Sequence, residues 1–281
     1  MIRRPPRSTP SNSSAASDVY KRQEVGAAIR KADQNHIIFV EGNNYGRDFE
    51  GLAPFDDKVV FASHQYVPGA YEPQPYPDDV TNPDTIVETY RACAEYASQA
   101  GAPMWCGEFG VQGHVGSNEM RQGRLRIVDE QITNFERLGH SWSMWTYKDV
   151  GVMGLAVPRP DTEYMTRSAP VRKLKDDLEV DEWTGPGFLG GDTFRPMLQR
   201  VAALGGPALE RGEICRVLGR QCRDGIARLL LRPFAEQFEG MSKEQLDQMM
   251  RSWRLENCRI HEEMVAILRK HRAVGATEKT P

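Results

Sequence analysis

From residue 24 onward, short apolar runs alternate with longer stretches in which apolar positions recur every three or four residues. Residues 36–42 run from His36 through Ile37, Ile38, Phe39 and Val40 to Glu41 and Gly42. That run is too short for a helix and is stopped by glycine, so it predicts a buried strand. Residues 58–64, 102–108 and 140–147 predict three more strands of the same kind. A short helical pattern at residues 24–32 leads into the first strand. After Asp84 as N-cap, Ile86, Tyr90, Cys93, Ala94 and Ala97 share one helical face, and Gly101 closes the helix. From Ser117 or Asn118, the residues Leu125, Val128, Ile132, Phe135 and Leu138 step by three and four as far as Gly139.

Strands alternating with helices imply parallel pairing through crossovers. Short buried strands that end in polar residues fit a (β/α)8 TIM barrel, whose site gathers at the strand C-termini. A doubly wound open sheet would need a glycine-rich phosphate turn of the form GxGxxG directly after its first strand, and none stands there. The barrel-like pattern occupies residues 24–180, well short of the about 250 residues of a whole barrel. The expected class is therefore α/β, a partial TIM barrel followed by an α-helical C-terminal extension over residues 181–281. In that extension Ser242 and Gln245 form a capping box. They precede one long helical pattern through Leu246, Met249, Met250, Trp253, Ile260, Met264, Ile267 and Leu268. Residues 1–23 are rich in Pro, Ser and Arg and have neither helical nor strand periodicity. They lack the apolar core of a signal peptide and resemble translated adaptor read-through, with a disordered tail as the alternative.

Composition narrows the partners. Hydrophobic residues make up 40% of the 281 and charged residues 27%, ordinary values for a globular chain. The net charge of −3 provides no basic face for nucleic acid or anionic lipid, and no apolar run reaches a membrane span. Cys93, Cys106, Cys215, Cys222 and Cys258 are too few and too irregularly spaced for a disulfide framework or a zinc site, and read as single thiols. No histidine has metal-ligand spacing, so neither metal nor cofactor is expected. The compartment is left open.

The strand ends carry the chemistry. Glu41, Asn43, Asn44 and Tyr45 follow the first strand, and His64, Gln65 and Tyr66 the second. Glu108 ends the third, and Trp145, Thr146 and Tyr147 the fourth. An indole face suits the C–H face of a pyranose while polar groups bond its hydroxyls. A carboxylate in such a pocket can attack an anomeric carbon. Of the two indoles, Trp142 is expected in the core and Trp145 at the sugar; Glu41 is expected to hold neighbouring loops.

The stretch Trp105-Cys106-Gly107-Glu108-Phe109-Gly110 resembles the Gly-Glu-Phe-Gly signature ending the seventh strand in glycoside hydrolase family 5, the cellulase family. His64-Gln65-Tyr66 resembles its sixth-strand His-x-Tyr, residues 141–148 its eighth-strand tryptophan segment, and residues 39–43 its fifth strand. The resemblance covers about residues 24–180 and implies barrel strands five to eight and retaining hydrolysis of β-linked glycosides. It implies Glu108 as nucleophile, with His64, Tyr66, Trp145 and Tyr45 as substrate contacts. The family's acid/base glutamate follows an asparagine at the end of the fourth strand. Here the Asn118-Glu119 pair lies downstream of Glu108 and reads as a helix start. The acid/base and the first four strands are therefore expected outside this chain. The competing class is a noncatalytic carbohydrate-binding or scaffold protein of the same fold.

Overall fold

The computed structural model describes residues 11–70, 75–178, 194–206, 214, 217–218 and 220–277. It divides into two compact units. One comprises Met1–Tyr66, Pro83–Phe109 and Glu130–Met144; the other comprises Val67–Asn82, Gly110–Asp129 and Trp145–Pro281.

The first unit is built on a parallel sheet of β1 (Ile38–Glu41), β2 (Val59–Gln65), β3 (Met104–Phe109) and β4 (Ser141–Trp142), in that order. Helix α1 (Ser11–Ala32) precedes β1, and the one-turn helix α2 (Asn43–Gly46) follows it. Helix α3 (Pro83–Ala100) lies between β2 and β3 in sequence, and α4 (Asn118–Arg137) between β3 and β4. Parallel neighbours need such crossovers, because a tight turn cannot return the chain to the same end of the sheet.

The predicted periodicity of α3 holds: Ile86, Tyr90, Cys93 and Ala97 are its buried stripe. Tyr90 bonds Ser63 Oγ at 3.1 Å, and Tyr96 meets Phe61 edge-on and stacks on Phe49. Phe135 packs edge-on against Tyr90 and Phe109, and Phe109 against Trp142. Such aromatic pairs add about 0.5–1.5 kcal/mol each beyond the area they bury. Gly101 and Gly139 end the two helices with φ of +60° and +71°, a conformation that costs glycine little. At the start of α4 the cap is Ser117, whose Oγ accepts from Met120 N.

In the second unit β5 (Ala156–Pro158) pairs antiparallel with β6 (Cys258–Ile260). Helices described with the pair are α5 (Glu163–Asp177), α6 (Arg195–Gly205), α7 (Arg220–Leu229), α8 (Leu231–Glu236), α9 (Lys243–Met250) and α10 (Glu262–Thr277). Val171, Phe194, Leu198, Ile214 and Leu230 form one buried cluster. Both halves of the Ser242–Gln245 capping box form.

Three expectations are corrected. Residues 11–23 are not without regular structure but begin the 22-residue helix α1, which is tied down by Arg22 on Asn43 and Arg30 on Asp56. The fourth strand is two residues long, not eight: its last ladder-like bond is Ser143 N to Cys106 O, and Trp145 belongs to the second unit. The single long C-terminal helix is broken between Met250 and Glu262. There the Asn257 amide takes the Arg251 carbonyl and β6 turns its backbone to β5, both of which compete with helical bonding. Cys93, Cys106, Cys222 and Cys258 are free thiols, and Cys215 lies outside the described residues.

Candidate active site

At the C-terminal ends of β2 and β3 the sheet register carries an irregularity. Ser63 pairs with Cys106 and the next pair is His64 with Glu108, so Gly107 has no partner in the ladder. Ser63 and Gln65 face α3, bonding Tyr90 and the Ile86 carbonyl. Cys106 is fully buried; Trp105 is on the opposite face, edge-on to Phe39. Strict alternation would send Glu108 to the same face as Cys106. The extra residue re-aims it, as bulges do, and its carboxylate lies beside His64 and Tyr66.

Tyr66 Oη donates to Glu108 Oε2 at 3.2 Å. Burial, and then the charge of Glu108, push the Tyr66 phenol far above its ordinary range, so the phenol is held as a donor. His64 stands between two carboxylates, with Nδ1 at 3.6 Å from Glu108 and Nε2 at 3.7 Å from Glu41. Both separations are ion-pair distances, longer than hydrogen bonds. The Glu108 side chain is 31% exposed and that of His64 19%, leaving the carboxylate open to a ligand. Behind them Ser143 Oγ donates to the Gly107 carbonyl at 2.7 Å and fixes the turn that carries Glu108. Gly46, at φ +70°, lets α2 close on β2, since a Cβ there would come within 2.9 Å of His64 N.

Three of the five expected site residues thus come together: Glu108, His64 and Tyr66. Trp145 is in the second unit and is 44% exposed. Its carbonyl lies 2.2 Å from where a Cβ on Gly110 would stand, so the backbone approach requires glycine at Gly110. Tyr45 falls in α2, and its side chain lies outside the described residues. Trp142 is half-buried and meets the core residue Phe109 edge-on. Glu41, expected to hold loops, faces His64 instead. Adjacency of the first two parallel strands is the signal that would have found it, because it pairs Glu41 with Ala62, two residues before His64. Ser143 had no signal in the sequence.

A family model described as Cellulase (glycosyl hydrolase family 5) matches residues 6–151. A β-xylosidase of Phanerodontia chrysosporium is 28% identical over 255 residues, which is 83% of this chain and 53% of that protein. The chain thus spans about half the length of that relative. Among solved structures, a hyperthermophilic endo-β-1,4-glucanase in complex with substrate is 21% identical at a TM-score of 0.41, covering 54% of each chain. Thermotoga maritima Cel5A in complex with cellobiose is 17% identical at 0.42, covering 51% of this chain and 50% of that one.

Proposed function

This chain belongs to glycosyl hydrolase family 5, the cellulase family, and on that premise we propose that it carries the nucleophile half of a retaining glycosidase site, with Glu108 as nucleophile. The family has a TIM-barrel-like α/β fold, and the parallel sheet agrees with it. In this reading β1 to β4 are barrel strands five to eight, within a catalytic portion at residues 24–180. Residues 181–281 are an extension joined to it through β5 and β6.

The observation that carries the reading is the Glu108 carboxylate at the end of a parallel strand, accepting from Tyr66 and flanked by His64. A carboxylate oxygen attacks the anomeric carbon, the glycosidic C–O bond breaks, and the leaving oxygen takes a proton from a second carboxylic acid. Water then releases the sugar, activated by the same group as base. Tyr66 keeps the nucleophile oriented by donating to it. His64, Trp145 and Tyr45 contact the sugar. The acid/base carboxylate belongs to a part of the parent enzyme that this sequence does not contain. The substrate is a β-linked glycoside, and β-xylosides are the first to test, given the relative.

Acid catalysis contributes about 10²–10⁴-fold and matters most for poor leaving groups. A dinitrophenyl β-xyloside leaves without a proton, so the chain should cleave it slowly, with retention, and Glu108→Gln should not. Xylan and cellulose should stay intact. Unchanged cleavage by Glu108→Gln, or an inverted product, would remove Glu108 from this role. Glycan binding without any Glu108-dependent cleavage would favour a noncatalytic binder.

A further inference from the structure

The second unit contains a cavity of about 660 Å³, within the usual range for a small-molecule site. Arg121, Arg172 and Arg259 line it together with His114, Glu262 and Glu263. Two of the three guanidiniums are held by neutral acceptors. Arg121 donates to the Gly116 carbonyl at 2.6 Å and Arg172 to the Met165 carbonyl at 2.8 Å, while Arg259 is fixed through its backbone opposite Val157. Among the described residues none of the three has a carboxylate within ion-pair distance, whereas Arg159, Arg167 and Arg232 nearby in sequence each do. Guanidiniums positioned by neutral groups keep their charge and free N–H edges for an incoming oxyanion.

Three guanidiniums against two carboxylates leave one surplus positive charge, which matches a monoanion and not a phosphate dianion. The carboxylates are acceptors only, and Glu263 already takes a bond from Gln122 at 2.8 Å. His114 adds a further acceptor. Its Nε2 bonds the Gly154 carbonyl at 2.7 Å, which leaves Nδ1 as the lone-pair nitrogen of the neutral ring. Burial, the neighbouring His261 and Arg259 hold His114 below its ordinary pKa and so keep that ring neutral. Val157 and Met165 supply apolar wall. A ligand that fits carries one carboxylate for the guanidiniums, hydroxyl donors for the Glu and His acceptors, and C–H surface for the wall.

We propose that this cavity is a binding site for a uronic acid residue, free or on a glycan, held through its carboxylate by Arg121, Arg172 and Arg259. The assignment does not depend on Glu108. Calorimetric titration of the full chain near pH 7 with glucuronate, glucose and inorganic phosphate tests it. Glucuronate should bind at least about tenfold more tightly than either of the others, a margin of ~1.4 kcal/mol. Arg259→Gln, an exposed position, should weaken glucuronate about tenfold or more, and Glu108→Gln should leave it unchanged. In parallel, the His114 ring resonances should shift on adding glucuronate, and the ring should titrate at higher pH with the anion bound. Equal affinity for glucose removes the role of the guanidiniums, and equal affinity for phosphate removes the polyol. Loss of binding in Glu108→Gln moves the ligand to the other site, and no binding with no His114 shift overturns the proposal outright.

Discussion

At the residue scale, each function rests on one atom finding another. Tyr66→Phe keeps the ring in place and deletes the donor to Glu108. A bond to a charged group is worth about 1.5–3 kcal/mol, so cleavage of the dinitrophenyl glycoside should fall roughly tenfold or more with the fold intact. A rate within twofold of the parent would show the bond to be incidental. In Glu108→Ala the vacated space admits azide, which should restore cleavage of the activated glycoside and give a glycosyl azide of inverted configuration. Failure of every small anion to rescue, in a variant that still binds sugar, would argue against direct attack by Glu108. Gly110 makes a steric claim in the second unit. Gly110→Ala forces a methyl onto the Trp145 carbonyl, so it should cost about 1–3 kcal/mol. That cost appears as a melting temperature lower by some degrees.

At the scale of elements, helix and sheet meet through buried polar groups whose titration should be visible in stability. Tyr90 of α3 bonds His140 Nδ1 at 3.2 Å, just before β4. Burial holds His140 below its ordinary pKa, and burial does the same to His114 in the second unit. The unfolded chain therefore takes these protons first, near pH 6.5. Their penalty is absent above about pH 7 and grows as pH falls through the unfolded value toward the lower folded ones. Urea unfolding at pH 7.5 and 5.5 should show a loss of stability on acidification, and His140→Gln should reduce that loss. An unchanged pH slope in the variant would mean His140 titrates alike in both states. Asp129 works the other way. Burial raises its carboxyl, but the bonds from Lys270 and His271 outweigh burial and hold it below its ordinary value. Its contribution persists above about pH 4 and fades as pH drops through the lower folded value.

At the scale of the molecule, the extension is part of the second unit's sheet and not an appendix to it. Ala156 and Val157 are almost wholly buried, and β6 supplies the pairing of their strand. Arg159 donates to the Glu256 carbonyl and bonds Asn257, and Tyr164 packs on Trp253 and Phe238. Ending the chain at residue 180 would strip β5 of its partner and uncover this apolar edge. The shortened chain should lose solubility and be cleaved by protease after β4, where the full chain resists. Equal solubility and equal protease resistance would assign β6 a decorative role.

The sequence by itself determined the sheet and its chemistry. Apolar runs at β1, β2 and β3 marked the strands, the stripes of α3 and α4 their covering faces, and parallel order followed from the alternation, although β1 is half exposed, with Phe39 at 53%, and not buried as its run predicted. Because strand ends gather in such a sheet, Glu108, His64 and Tyr66 were legible as one constellation before any coordinate. What the tertiary structure alone decided depends on partners distant in sequence. Whether residues 143–147 continue a strand turns on what lies beside them, and local β-propensity cannot see that. The stripe from Leu246 to Leu268 is helical in period, yet β5 captures Cys258–Ile260 from 100 or more residues away and breaks it. The skipped residue at Gly107, which turns Glu108 from the α3 face to His64, is a property of two strands in register and of neither alone.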